Sequence, residues 1–185
     1  MMIMNRISQI RVAACLGLFK PTLEKKYSLT PYKDPKKPAI FFGCYTPQEV
    51  DAIINHKSLA VVVWAGSDTM NLYQPFHNSL FKAKHVVHAS ISKWIYEDLN
   101  CRGIPSKRLP ICGSDFDLFN PTPLGKSIYV YSNHIRAKFY GEHMLQAVRE
   151  RFTDCDIIYG YSTPPGHVSV DEMPALYSRC FIGLR

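Results

Sequence analysis

Residues 59–64, Leu-Ala-Val-Val-Val-Trp, form an unbroken apolar run rich in β-branched side chains, and Gly66, Ser67 and Asp68 end it. A strand with one wet face alternates polar and apolar residues. A strand without alternation is buried on both faces, as in a parallel sheet covered by helices. Short runs suited to strands recur at 38–43, 84–89, 108–112, 126–131, 156–159 and 180–184. Between them lie segments with helical spacing: 47–57 with Val50, Ile53 and Ile54 on one face, 91–99 begun by Ser90 or Ser92, 140–152 with Leu145, Val148 and Phe152, and 170–178 with Pro174 in its first turn. Strands alternating with helices predict right-handed crossovers, hence an α/β chain of Rossmann-like parallel sheets whose ligands lie beyond the carboxyl ends of the strands.

At 185 residues, 46% of them hydrophobic, the chain has enough apolar surface for one ordinary domain or two small ones. Residues 113–125 are turn-rich and predict a linker, giving an N-terminal domain at 38–112 and a partial C-terminal one at 126–185. Residues 1–37, with Lys25, Lys26, Lys33, Lys36 and Lys37 near prolines, are expected to be an N-terminal segment and solvated tether.

The net charge of +7 attracts anions in general. The cations are spread along the chain rather than clustered with aromatics, which argues against nucleic acid as a partner. Six cysteines without a Cys-x-x-Cys pair read as reduced, buried thiols. The apolar stretch near the N-terminus is interrupted by Arg6 and Arg11 and is too short to cross a bilayer. A cytoplasmic location is expected, and residues 1–20 would suit a basic amphipathic helix lying on an anionic membrane. P-loop, Gly-x-Gly-x-x-Gly, Gly-x-Ser-x-Gly and His-Glu-x-x-His motifs are absent from the sequence.

Function is therefore sought at the strand ends. Asp68, after a buried strand, has the chemistry to accept a hydrogen bond from a substrate hydroxyl or to deprotonate it, or else to cap a helix. Tyr45 and Trp64 are either stacking surfaces for a ligand ring or plain core. Arg136 and Lys138, ahead of a helix, are either diphosphate ligands or a solvated basic turn. His85 and His88 are expected on opposite faces of one strand, which excludes a shared metal, and no metal site is predicted.

The order of these features resembles a GT-B-fold glycosyltransferase of the family-4-like group. Phe-Phe-Gly43 leading into a helix, Trp64-x-Gly-Ser-Asp68, and Ser-x-Trp94 leading to Gly103-Ile-Pro105 look like its acceptor half, and Asp117-x-Phe119-x-Pro121 looks like its entry into the donor half. The resemblance implies a two-lobed arrangement and transfer of a sugar from a nucleotide-diphosphate sugar to a glycan or lipid-linked acceptor. The reaction it implies is retaining, without a metal or other cofactor. It assigns Asp68 as catalytic, Tyr45, Trp64 and Ser67 to the acceptor, Asn133, Arg136 and Lys138 to the donor diphosphate, and Tyr161 and Ser162 to the nucleotide. Asn133 stands where the family pattern has Arg, and Gly141 lies three residues after Lys138 rather than directly after it. The Gly-rich loop and Glu-x7-Glu motif that follow in the family are not in this sequence, so an incomplete donor lobe is expected. The alternative is a non-catalytic binding module that keeps an acceptor or partner site, or needs another chain to complete the donor pocket.

Overall fold

The computed structural model describes residues 7–71, 77–111, 119, 122–132, 142–161, 168–169 and 171–184. It divides into two compact units, Met1–Ser114 and Asp115–Arg185.

The first unit carries β1 (Gln9–Val12), α1 (Lys20–Lys26), β2 (Thr30–Pro31), β3 (Ala39–Phe42), α2 (Pro47–Ile54), β4 (Ala60–Trp64), α3 (Asn78–Lys82), β5 (Val86–Ser90), α4 (Lys93–Cys101) and β6 (Ser106–Arg108). Its six strands are all parallel, in the order β2-β1-β3-β4-β5-β6. The chain steps from β1 outward to β2 and then crosses to β3 on the other side. This direction reversal puts α1 on one face of the sheet and α2, α3 and α4 on the other, because each crossover is right-handed. Burial follows the strand period of two. Ala39, Phe41, Ala60, Val62 and Trp64 pack with Val50, Ile53, Leu80, Ile95 and Leu99 of the three helices, while Ile10, Ile40, Phe42, Val61 and Val63 pack with Leu23 of α1. The unit is a doubly wound, Rossmann-like α/β fold.

This corrects the expectation of a tether at residues 1–37. Ile10 and Leu23 are fully enclosed, and the burial of such side chains, worth about 1.5–3 kcal/mol each, draws the segment into the sheet. The Lys-rich stretch is a turn held from inside: the Gln9 side chain donates to the carbonyls of Asp34 and Lys37 and accepts from the N–H groups of Lys33 and Asp34. An amphipathic helix over residues 1–20 is likewise corrected. Residues 9–12 are a strand with both neighbours paired, followed by a 3-10 turn at Ala14–Phe19. The strand expected at 108–112 lies earlier, at Ser106–Arg108. No described helix is long and apolar enough to cross a membrane.

The second unit carries β7 (Ser127–Ser132), α5 (Glu142–Arg151), β8 (Ile157–Tyr161), α6 (Met173–Tyr177) and β9 (Cys180–Leu184). Its three parallel strands run β8-β7-β9, so the chain again leaves its first strand to one side and returns on the other. Ile128 and Val130 of β7 pack with Leu145 and Val148 of α5. Tyr129 turns to the opposite face, with its ring 5.1 Å from that of Tyr177 in α6. A side chain at Gly125 would meet the Arg179 backbone at 2.0 Å, so this entry to β7 admits only glycine.

Candidate functional site at the carboxyl edge of the sheets

In the first unit the direction reversal lies between β1 and β3, and the loops leaving β1, β3 and β4 meet there. Gly43, directly after β3, has φ +83°, and a Cβ on it would stand 2.8 Å from Tyr45 Cε2, 2.9 Å from Leu16 Cδ1 and 3.0 Å from Ala13 Cβ. The chain can turn here and let the 3-10 turn after β1 close down only because the side chain is absent. After the turn, Thr46 caps α2. Its hydroxyl accepts from Glu49 N–H at 3.3 Å, while Glu49 Oε2 accepts from Tyr45 N–H and, at 2.9 Å, from Thr46 N–H.

Asp68 holds this loop to the one after β4. It is fully buried, and its carboxylate accepts the backbone N–H groups of Gly66 at 2.8 Å, Ala65 and Thr69 at 3.1 Å, and Cys44 at 3.3 Å. Burial pushes its carboxyl above the usual carboxylate range, and the N–H donors oppose that rise. His77, also fully buried, takes the other side of the same residue: its Nε2 donates to the Cys44 carbonyl at 3.3 Å. Both polar groups of Cys44 are thus fixed by residues that follow β4. The Cys44 thiol is enclosed, and burial, together with Glu49 and Asp68, pushes it up to about 12, which makes it an inert packing group at neutral pH. Of the described cysteines only Cys44 is buried. Cys15 and Cys101 are exposed, contrary to the expectation of uniformly buried thiols, and all five are unpaired.

The residues expected at the acceptor separate into two groups. Tyr45 is half-buried at the mouth and Ser67 is exposed; burial raises the Tyr45 phenol, with nearby Asp68 adding to the rise. These two remain where a ligand could touch them. Trp64 does not: it is 0% exposed, and its Nε1 donates to His88 Nδ1 at 3.2 Å. The structure corrects its stacking role, since a ring enclosed on both faces cannot receive a sugar. Asp68 is corrected in the same sense. A carboxylate whose lone pairs serve four backbone donors reaches a substrate hydroxyl only by dismantling the loops that form the site. His88 is 6% exposed and held neutral, burial lowering it to about 4. His85 lies in the turn before β5 rather than within it, and its Nε2 donates to the Ile53 carbonyl at 3.0 Å. It therefore leans on the same packed face as His88, not the opposite one.

In the second unit the carboxyl end of β7 is the matching position. Asn133 is the next residue after β7, but Asn133, Arg136 and Lys138 lie outside the described residues, as does Ser162. Tyr161 is the last residue of β8, paired with Ser132 at the end of β7.

His77 and Glu49 were not singled out from sequence. Thr46-x-x-Glu49 before an apolar face is a legible capping signal. Cys44 and His77 lie 33 positions apart, and no local pattern joins them. Comparison of the chain with known protein families, with curated proteins and with solved structures finds no match.

Proposed function

We propose that this chain is a glycosyltransferase acting on a nucleotide-diphosphate sugar in the cytoplasm, passing the sugar to a glycan or lipid-linked acceptor with retention and without a metal. One observation carries the reading. The order β8-β7-β9 makes the carboxyl end of β7 a point of direction reversal, the place where open parallel sheets take their ligands. The chain leaves that end directly into Asn133, Arg136 and Lys138, which have the chemistry to neutralise a diphosphate leaving group. On the acceptor side, Tyr45 and Ser67 are the groups that face outward. Asp68 acts through them, fixing the loops that carry both rather than taking a proton.

The saturated carboxylate of Asp68 and the burial of Trp64 also favour a second reading, a binding module without catalysis. The two readings differ in the donor site: the module keeps an acceptor or partner site, or needs another chain to complete the donor pocket. Thermal unfolding of the chain with UDP, GDP and their sugars tests the donor site, because a ligand held at about a hundredfold above its dissociation constant adds about 2.7 kcal/mol to stability. The proposal expects one nucleotide to raise Tm and its sugar conjugate to be hydrolysed or transferred. No stabilisation by any of them contradicts donor binding by this chain and selects the binding module, and stabilisation without turnover contradicts transfer by this chain alone.

A further inference from the structure

Three loops at the carboxyl edge of the first unit hold large apolar side chains out in water. Leu18, in the 3-10 turn after β1, is 60% exposed; Met70, two residues past Asp68 in the loop after β4, is 71% exposed; and Trp94, in the first turn of α4 after β5, is 56% exposed. Exposed apolar residues are ordinary when scattered, but these sit on loops from strands of one sheet that all end on the same side.

Among the described residues, three cations lie toward that side. Lys20 opens α1, Lys93 opens α4, and Arg108 is the exposed last residue of β6. Lys20 and Lys93 pair with Glu24 and Glu97 at 3.9 and 3.5 Å, and these acids sit one helical turn farther from the edge. Among the described residues, the carboxylates nearest the edge, Glu49 and Asp68, are turned inward to backbone N–H groups. Lys20 and Arg11 also line a recess of about 180 Å³ beside β1 and β2.

We infer that this edge docks on an anionic lipid bilayer, with Leu18, Met70 and Trp94 entering the headgroup–acyl boundary and Lys20, Lys93 and Arg108 meeting lipid phosphates. Apolar side chains ringed by cations are the pattern of interfacial membrane binding, where insertion and electrostatic attraction add. A soluble protein partner would also bury such tips, Trp and Met being favoured at the core of an interface, and binding to protein-free vesicles separates the two. The docking surface is independent of sugar transfer, and it stands or falls without that activity.

The two tryptophans make it measurable, since Trp64 is fully enclosed and only Trp94 can report a change of solvent. The full chain is titrated with phosphatidylcholine vesicles, with and without phosphatidylglycerol, and followed by co-sedimentation and tryptophan emission. The expected result is binding to the phosphatidylglycerol vesicles alone, weakened by salt, with a blue shift of emission. Trp94→Ser abolishes the shift, and Met70→Ser combined with Trp94→Ser lowers partitioning by about tenfold or more. Both positions are exposed, and an unchanged near-ultraviolet signal from Trp64 confirms the fold of each variant. Failure to bind the anionic vesicles overturns the inference. So does binding with no change at Trp94, or binding that the double variant retains in full.

Discussion

The carboxylate of Asp68 accepts the backbone N–H of Cys44 at 3.3 Å, so the residue that ends the β4 loop also holds the chain leaving β3. Because the same carboxylate serves Ala65, Gly66 and Thr69, its contribution is to the shape of the edge. Asp68→Asn keeps the size but turns an acceptor oxygen into an NH2 group facing N–H donors. The expected outcome is a loss of about 2–3 kcal/mol, read as a lower urea midpoint at unchanged m-value. A catalytic Asp68 would instead lose turnover and keep its midpoint.

Gly43→Ala tests the close approach of the β1 and β3 loops. The substitution places a methyl at φ +83°, within 3.0 Å of Tyr45, Leu16 and Ala13. Left-handed strain and the displaced neighbours together should cost about 2–3 kcal/mol. A midpoint within error of the parent would show that the turn after β1 is loosely held.

Much of the α/β reading was legible because buried parallel strands leave long signals. The run at 59–64 has no alternation, and β4 is buried at all five of its residues. The segment before residue 38 was misread because its strands are short. β2 has only two residues, Thr30 and Pro31, both exposed, and no periodicity survives over two residues. The apolar anchors of that segment, Ile10, Leu23 and Leu29, are far apart in sequence and converge only once α1 has packed. At the strand ends, the ends themselves follow from local patterns, whereas the burial of Trp64 depends on His88, and the enclosure of Asp68 on Cys44, each 24 residues away.

Acid should weaken the first unit through His88. Its folded value is about 4, against about 6.5 for an exposed histidine, because burial penalises the imidazolium. The unfolded chain therefore binds more protons between these values. The native state keeps its full stability above pH 6.5 and loses up to about 3 kcal/mol as pH falls toward 4. His56, lowered chiefly by burial, contributes with the same sign. Protonation of His88 Nδ1 also removes the acceptor of Trp64 Nε1. Urea midpoints measured across this range in the parent and in His88→Leu provide the check: the variant should be less stable at pH 7 but show a shallower pH slope. Equal slopes would contradict the assignment to His88.

The most direct measurement of the central claim is calorimetric titration of the chain with UDP and GDP, repeated with Lys138→Ala. The account predicts saturable binding of one nucleotide, weakened about tenfold or more when the cation is removed, with the unfolding midpoint of the unliganded variant unchanged. Absence of binding by the parent chain, or equal affinity in the variant, would contradict a donor diphosphate site after β7.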